Sequence, residues 1–199
     1  MRYLILHVDI VYMEDKMNIF LLCDEARDEL REAESGLGSW ARSKGHSLET
    51  LYASELKLKP CLGCFACWTK TPGLCAIKGD DGERFLKAFI QSDLFVLVGE
   101  TPYGSFSPQI KRVLDRIIPS LHPYFRIYQG EMHHVQRYPN ERRVLLARRG
   151  DARAAEAATF SQLGRSYCDN VASPYQKRDF LFDGRVDPFV DWIAEEVAS

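Results

Sequence analysis

The chain has no long hydrophobic run. Its apolar opening, residues 1–11 (MRYLILHVDIV), is interrupted by Arg2, His7 and Asp9, carries no small-residue cleavage site and is too short to cross a bilayer. No other apolar stretch reaches spanning length, so no membrane partner is expected. A charge of one sign is missing as well. The 26 Lys and Arg against 28 Asp and Glu leave a formal net charge of −2, which argues against a nucleic-acid partner. Internal repeats, low-complexity tracts and linkers are absent, and 199 residues at 46% hydrophobic content suit one well-filled core, not two. Residues 17–199 therefore read as a single domain. Residues 1–16 read as an N-terminal extension: an extra strand, a subunit contact, or a stretch upstream of a true start at Met13 or Met17. With no export signal the expected compartment is the reducing cytoplasm, where six cysteines read as thiols or ligands and not as a disulfide framework.

Those cysteines are what the sequence does have. Pro60-Cys61-Leu62-Gly63-Cys64-Phe65-Ala66-Cys67 is followed by Cys75, giving C-x2-C-x2-C-x7-C. Thiolates ligate iron–sulfur clusters and zinc, and a tight C-x2-C-x2-C loop can wrap one metal centre. Reduced thiols packing as small hydrophobes is the other reading. Three thiols this crowded are unusual for a lone zinc, although four thiolates suit a closed tetrahedral site.

Hydrophobic patterning sets the architecture. Met17–Cys23, Phe95–Val98 and Val144–Ala147 are short apolar runs of the kind that form strands buried on both faces, His46–Tyr52 alternates, and Phe180–Phe182 reads as a last strand. Helical spacing is expected over Ala26–Ser43, from Asp80-Asp81 to Gln91, from an N-cap at Ser107 through Ile118, over Ala152–Tyr167 and over Asp187–Val197. Strands separated by helices imply right-handed crossovers. The expected fold class is therefore α/β, a flavodoxin-like doubly wound three-layer sandwich of about five parallel strands. In that architecture ligands sit outside the carboxyl ends of the strands.

The loop leaving the third of those strands runs Gly99-Glu100-Thr101-Pro102-Tyr103-Gly104-Ser105-Phe106-Ser107. Pro102 fixes chain direction, Gly104 permits close backbone approach, Tyr103 and Phe106 offer aromatic faces, and Ser105 and Ser107 offer hydroxyls. It suits either a planar ligand or an ordinary strand–turn–helix connection. The adjacent His133-His134 pair directs its rings apart and is not expected to chelate. Cys23 and Cys168 fall in strand and helix contexts and read as structural.

The combination of P-C-x-G-C-x-x-C-W at 60–68, C-x-I-K-x-D-D at 75–81 and T-P-Y-G-S-F-S-P-Q-I-K-R-V-L-D-R at 101–116 resembles the NADPH-dependent FMN reductase-like family, nearest its iron–sulfur flavoprotein branch. The likeness continues more loosely through Pro119–Tyr138 and covers about the middle half of the chain. It implies FMN at the strand ends, hydride transfer from NAD(P)H to the flavin N5, and onward delivery to a small-molecule electron acceptor such as a quinone or free flavin. Thr101, Pro102, Tyr103, Gly104, Ser105, Phe106 and Ser107 would then contact the isoalloxazine. In the iron–sulfur branch Cys61, Cys64, Cys67 and Cys75 would hold a [4Fe-4S] cluster. A homo-oligomer, expected as a dimer, is implied too, with the aromatic segment Pro123–Tyr128 as a candidate contact.

One segment departs from the resemblance. The family's first-strand loop resembles G-S-x-R and wraps the FMN phosphate at a helix N-terminus. Here the place reads Cys23-Asp24-Glu25-Ala26-Arg27-Asp28-Glu29-Leu30, with four carboxylates, one arginine, no glycine and no hydroxyl. Arg27 or Arg31 is one candidate phosphate partner, and Arg148-Arg149 after a later strand is read as solvated. The alternative function is a flavodoxin-fold protein that has lost FMN and acts as a metal- or cluster-binding sensor or interaction module.

Overall fold

The computed structural model describes residues 16–138, 141–150, 153–174 and 179–198, and the expected extension lies almost entirely outside them. The first strand, β1 (Asn18–Cys23), is buried from Ile19 onward. Successive side chains of a strand face opposite sides. Phe20 and Leu22 accordingly enter one apolar cluster, while Ile19, Leu21 and Cys23 enter another. A strand buried on both faces must be covered twice, and the chain supplies helices for both sides.

Strand β2 (Ser47–Tyr52) and β3 (Leu94–Glu100) both pair with β1 in parallel. Two later strands, here β6 (Arg143–Arg149) and β7 (Phe180–Phe182), extend the sheet to the order β2-β1-β3-β6-β7. All five strands expected from the sequence are present, in doubly wound order.

Helices α1 (Asp28–Ser43) and α6 (Val186–Ala198) cover one face through Leu30, Ala33, Leu37, Ala41, Phe189, Trp192 and Ile193. The other face is covered by α3 (Gly82–Gln91), α4 (Pro108–Leu114) and α5 (Ala154–Asn170), with Phe85, Phe89, Ile110, Val113 and Phe160 inward. Short α2 (Ala66–Thr69) lies inside the cysteine loop.

Two expectations are corrected. The helix capped by Ser107 stops being α-helical at Leu114 and continues as a 3-10 segment, Asp115–Ser120, instead of reaching Ile118 as an α-helix. Pro119 has no N–H to bond the Asp115 carbonyl and its ring crowds that position, so α-type bonding cannot run on. The helix expected to open at Asp80-Asp81 begins at Gly82, because both aspartates turn back to the chain before the cysteine loop. A further pair of strands was not anticipated: β4 (Leu121–Tyr128) and β5 (Glu131–Gln136) form an antiparallel hairpin outside the main sheet. Its turn residues, Gln129 and Gly130, both have positive φ, as the tightest hairpin turns require.

Candidate functional site

Two regions assemble the candidate residues: the rim at the carboxyl ends of β1, β3 and β6, and the loop that leaves β2.

At the rim, Thr101 is buried and Pro102–Gly104 form a 3-10 turn. Tyr103 stands in the left-handed region (φ 57°) with 85% of its surface exposed. A non-glycine residue in that region persists only where its surroundings hold it, and Gly104 is the anchor. A β-carbon there would lie 2.6 Å from both the Glu156 carbonyl oxygen and Thr159 Cβ of α5, at a φ of +75°. Phe106 is buried edge-on against Phe160 and Tyr167, with ring centroids 5.6 and 5.9 Å away. The Ser107 hydroxyl accepts from the Ile110 N–H at 3.3 Å as the N-cap of α4. The seven expected ligand contacts therefore divide. Pro102, Tyr103 and Ser105 face solvent, whereas Thr101, Gly104, Phe106 and Ser107 fix the turn that presents them.

The exit of β1 behaves differently from a phosphate cradle. Asp24 is 2% exposed; its Oδ1 accepts from the Glu25 N–H at 2.9 Å and its Oδ2 from the Glu100 N–H at 2.7 Å. Arg149, expected to be solvated, instead has a side chain only 10% exposed and lies across three carboxylates. Its nitrogens stand 3.4 Å from Asp24, 3.6 Å from Glu29 and 3.0 Å from Glu100. Low solvent access makes this position favourable for the guanidinium only because the acids surround it. The two arginines considered as phosphate partners are engaged elsewhere. Arg27 pairs with Glu25 at 2.7 Å and Glu100 at 3.6 Å, and Arg31 pairs with Glu55 at 2.7 Å above the Tyr52 ring. The exposed turn suits a planar ring, but the β1 exit does not fit the dianionic phosphate of FMN.

In the cysteine loop, all four expected ligands line one cavity of about 240 Å³. Ile77, Ile118, Pro119 and Arg116 form part of its wall. Cys61 and Cys64 are exposed, Cys75 is half-buried and Cys67 is buried. Burial pushes the Cys67 thiol above its usual pKa, and the neighbouring Cys75, Cys61 and Cys64 push it further, so the four sulfurs feel one another. Among the described residues no three potential ligands are gathered closely enough to hold a metal ion as they stand. Donor type and number fit a thiolate-bound centre, and binding one requires the loop to draw inward.

Both ends of that loop are pinned by a buried ion pair that sequence reading did not identify. Arg116 Nη1 donates to Asp80 Oδ2 at 2.7 Å and to the Lys59 carbonyl at 2.6 Å, and Nη2 donates to Asp80 Oδ1 at 3.1 Å. The Asp80 carboxylate also accepts from the Lys59 N–H at 3.0 Å and the Gly82 N–H at 3.0 Å. The side chains are 1% and 4% exposed. Burial opposes the charge on Arg116, but the Asp80 bond and the nearby Cys75 outweigh it and raise its pKa. The Arg116 hydrogen bonds hold Asp80 down to about 2.

The remaining candidates follow expectation. His133 Nδ1 lies 3.1 Å from Asn170 Oδ1, while His134 packs at a tilt against Trp68 and Phe125, so the rings do diverge. Cys23 and Cys168 are buried, and burial raises both thiols, Cys168 to about 12.

The sequence matches no protein-family model. Over 76 residues it is 33% identical to an iron-sulfur flavoprotein of Methanocaldococcus jannaschii, a stretch that spans 38% of this chain and 38% of that relative. Among solved structures it resembles an NAD(P)H:quinone oxidoreductase from Methanothermobacter marburgensis, with TM-score 0.59 and 12% identity over 92% of this chain and 96% of that one. An azoreductase from Bacillus anthracis gives TM-score 0.55 and 12% identity over 92% and 97%, and an NADH:FMN oxidoreductase in its apo form gives 0.55 and 11% over 92% and 87%. At such low identity these likenesses speak for architecture, and with the strand order and the two-faced core they show that this chain has the flavodoxin-like fold shared by those reductases.

Proposed function

We propose that this protein is an NAD(P)H-dependent flavin oxidoreductase of the flavin or quinone reductase type, with Cys61, Cys64, Cys67 and Cys75 holding a [4Fe-4S] cluster. The observation that carries the reading is the convergence of all four cysteines on a single cavity, beside a doubly wound sheet whose rim presents an exposed aromatic turn. The partial match to an iron-sulfur flavoprotein and the reductase folds support it.

When bound, a flavin supplies hydride and single-electron chemistry. The chain's part is positional. Pro102, Tyr103 and Ser105 offer a surface to the ring, and Gly104, Phe106 and Ser107 hold that surface rigid against α5 and α4. Around the cysteines, Arg116 forms part of the cavity wall and sets one fixed positive charge near Cys75. The acceptor is a small molecule. The reading includes a cytoplasmic homo-oligomer; no helix among the described residues is long and apolar enough to cross a membrane, and Tyr124, Phe125, Ile127 and Met132 stand exposed on the β4–β5 hairpin as a contact between copies.

The test is an absorption spectrum of anaerobically purified protein with iron, zinc and flavin quantified. Expected are flavin bands restored by added flavin, reduction by NAD(P)H, and iron that is lost when Cys64 and Cys67 become serine. Protein that takes up no flavin and does not oxidise NAD(P)H refutes the enzyme reading. Zinc in place of iron refutes the cluster alone.

A further inference from the structure

We propose that the rim takes a flavin without its terminal phosphate, a neutral riboflavin-type ring and polyol, in preference to FMN. The inference rests on the flavin oxidoreductase reading above and deepens it.

The anion position of a nucleotide-binding fold of this kind lies at the exit of the first strand. Backbone N–H groups at the exit of the first strand and the start of its helix are the donors that hold phosphate oxygens in nucleotide-binding α/β proteins. Here the N–H groups of Glu25 and Glu100 donate to the chain's own carboxylate, Asp24, at 2.9 and 2.7 Å. Asp24 also has the Arg149 guanidinium on its Oδ2. Its side chain is confined: a β-carbon added to Gly99 would stand 3.2 Å from Asp24 Cβ and Cγ, so the carboxylate lies tight against the strand beside it. An internal anion thus takes up the Glu25 donor at the β1 exit and the Glu100 donor at the end of β3 beside it.

What surrounds it repels a second one. Among the described residues, Asp24, Glu25, Glu29 and Glu100 pair with Arg27 and Arg149, four carboxylates against two guanidinium groups. Both arginines are already paired with these acids, so neither is a spare counter-ion for a dianion. The Arg149 Nε, shut off from solvent as it stands, has no hydrogen-bond partner among the described residues. Once the guanidinium turns toward the neighbouring cavity, a neutral hydroxyl meets both conditions, accepting from an Arg149 N–H while donating to a carboxylate oxygen. A cavity of about 480 Å³ lined by Glu29, Arg149, Gly150 and Asp183 leaves room beside the guanidinium. A polyol chain carries such hydroxyls along its length, whereas a phosphate ester ends in charge that this rim disfavours.

Riboflavin and FMN titrated against the full chain, followed by quenching of flavin fluorescence at low salt, test this directly. Riboflavin is expected to bind at least tenfold more tightly than FMN, equivalent to about 1.4 kcal/mol. Added salt should narrow the gap, because screening weakens the repulsion of the phosphate and leaves the neutral ligand untouched. In Asp24→Asn, FMN affinity should gain at least tenfold relative to riboflavin affinity. FMN binding as tightly as riboflavin to the unaltered protein overturns the inference and leaves the oxidoreductase reading standing. Binding of neither flavin overturns both. The comparison on the unaltered protein decides the matter if Asp24→Asn does not fold.

Discussion

Replacing Asp80 by asparagine removes the carboxylate that pins both ends of the cysteine loop. Arg116 then keeps its buried charge, with a neutral amide where two charge-assisted bonds of 2.7 and 3.1 Å had been. Breaking a buried pair in this way costs about 3–5 kcal/mol, because the surviving charge stays desolvated. A second magnitude comes from protons. Asp80 titrates at about 2 in the folded protein against an ordinary 3.8, with its Arg116 hydrogen bonds as the main lowering influence. A depressed carboxyl contributes stability that is complete well above its unfolded value and disappears as pH falls through its folded one. Here that contribution is about 2 kcal/mol at neutral pH, of which about 1 kcal/mol is lost between pH 5 and pH 3. Urea unfolding of both proteins at pH 7, 5 and 3 reads the two effects together. The variant should be less stable by about 3–5 kcal/mol at pH 7, and the difference should shrink by about 1 kcal/mol between pH 5 and pH 3. A gap below about 1 kcal/mol at neutral pH, or one that does not change with pH, would show that the pair is not the clasp described here.

Two further substitutions probe the rim. Gly104→Ala forces a β-carbon to within 2.6 Å of the Glu156 carbonyl at positive φ. It should cost upwards of about 1–3 kcal/mol in thermal or chemical unfolding and weaken flavin binding, with the Phe106–Phe160 contact disturbed as seen by near-ultraviolet circular dichroism. Ser107→Ala deletes only the side-chain cap of α4 and should cost about 1 kcal/mol, leaving iron content at the cysteine loop unchanged.

Much of the fold was legible because the signals are local. Phe95–Val98 and Val144–Ala147 are too short and too uniformly apolar to be anything but strands covered on both faces, and the helices between them leave a doubly wound sheet as the consistent arrangement. Ser107 as a cap was equally readable, since a hydroxyl before Pro108 and an apolar stripe is a local pattern. The hairpin was missed although Gln129-Gly130 marks its turn, because Pro123 and the mixed polarity of 121–136 mask the strand alternation.

The site divides along the same line. Spacing alone grouped Cys61, Cys64, Cys67 and Cys75, since residues so near in sequence cannot end far apart. Chain order likewise exposed the acidic character of the β1 exit. What only folding decided is which distant residues meet there. Arg149 lies 125 residues from Asp24 and reaches it because parallel pairing sets the ends of β1, β3 and β6 side by side. Arg116 and Asp80 are 36 residues apart, and the break in α4 ahead of Pro119 leads into the turn from which the guanidinium reaches the aspartate. Sequence patterns carry periodicity and short-range chemistry, whereas ion pairing across a sheet rim depends on strand order and register, which exist only once the sheet has formed.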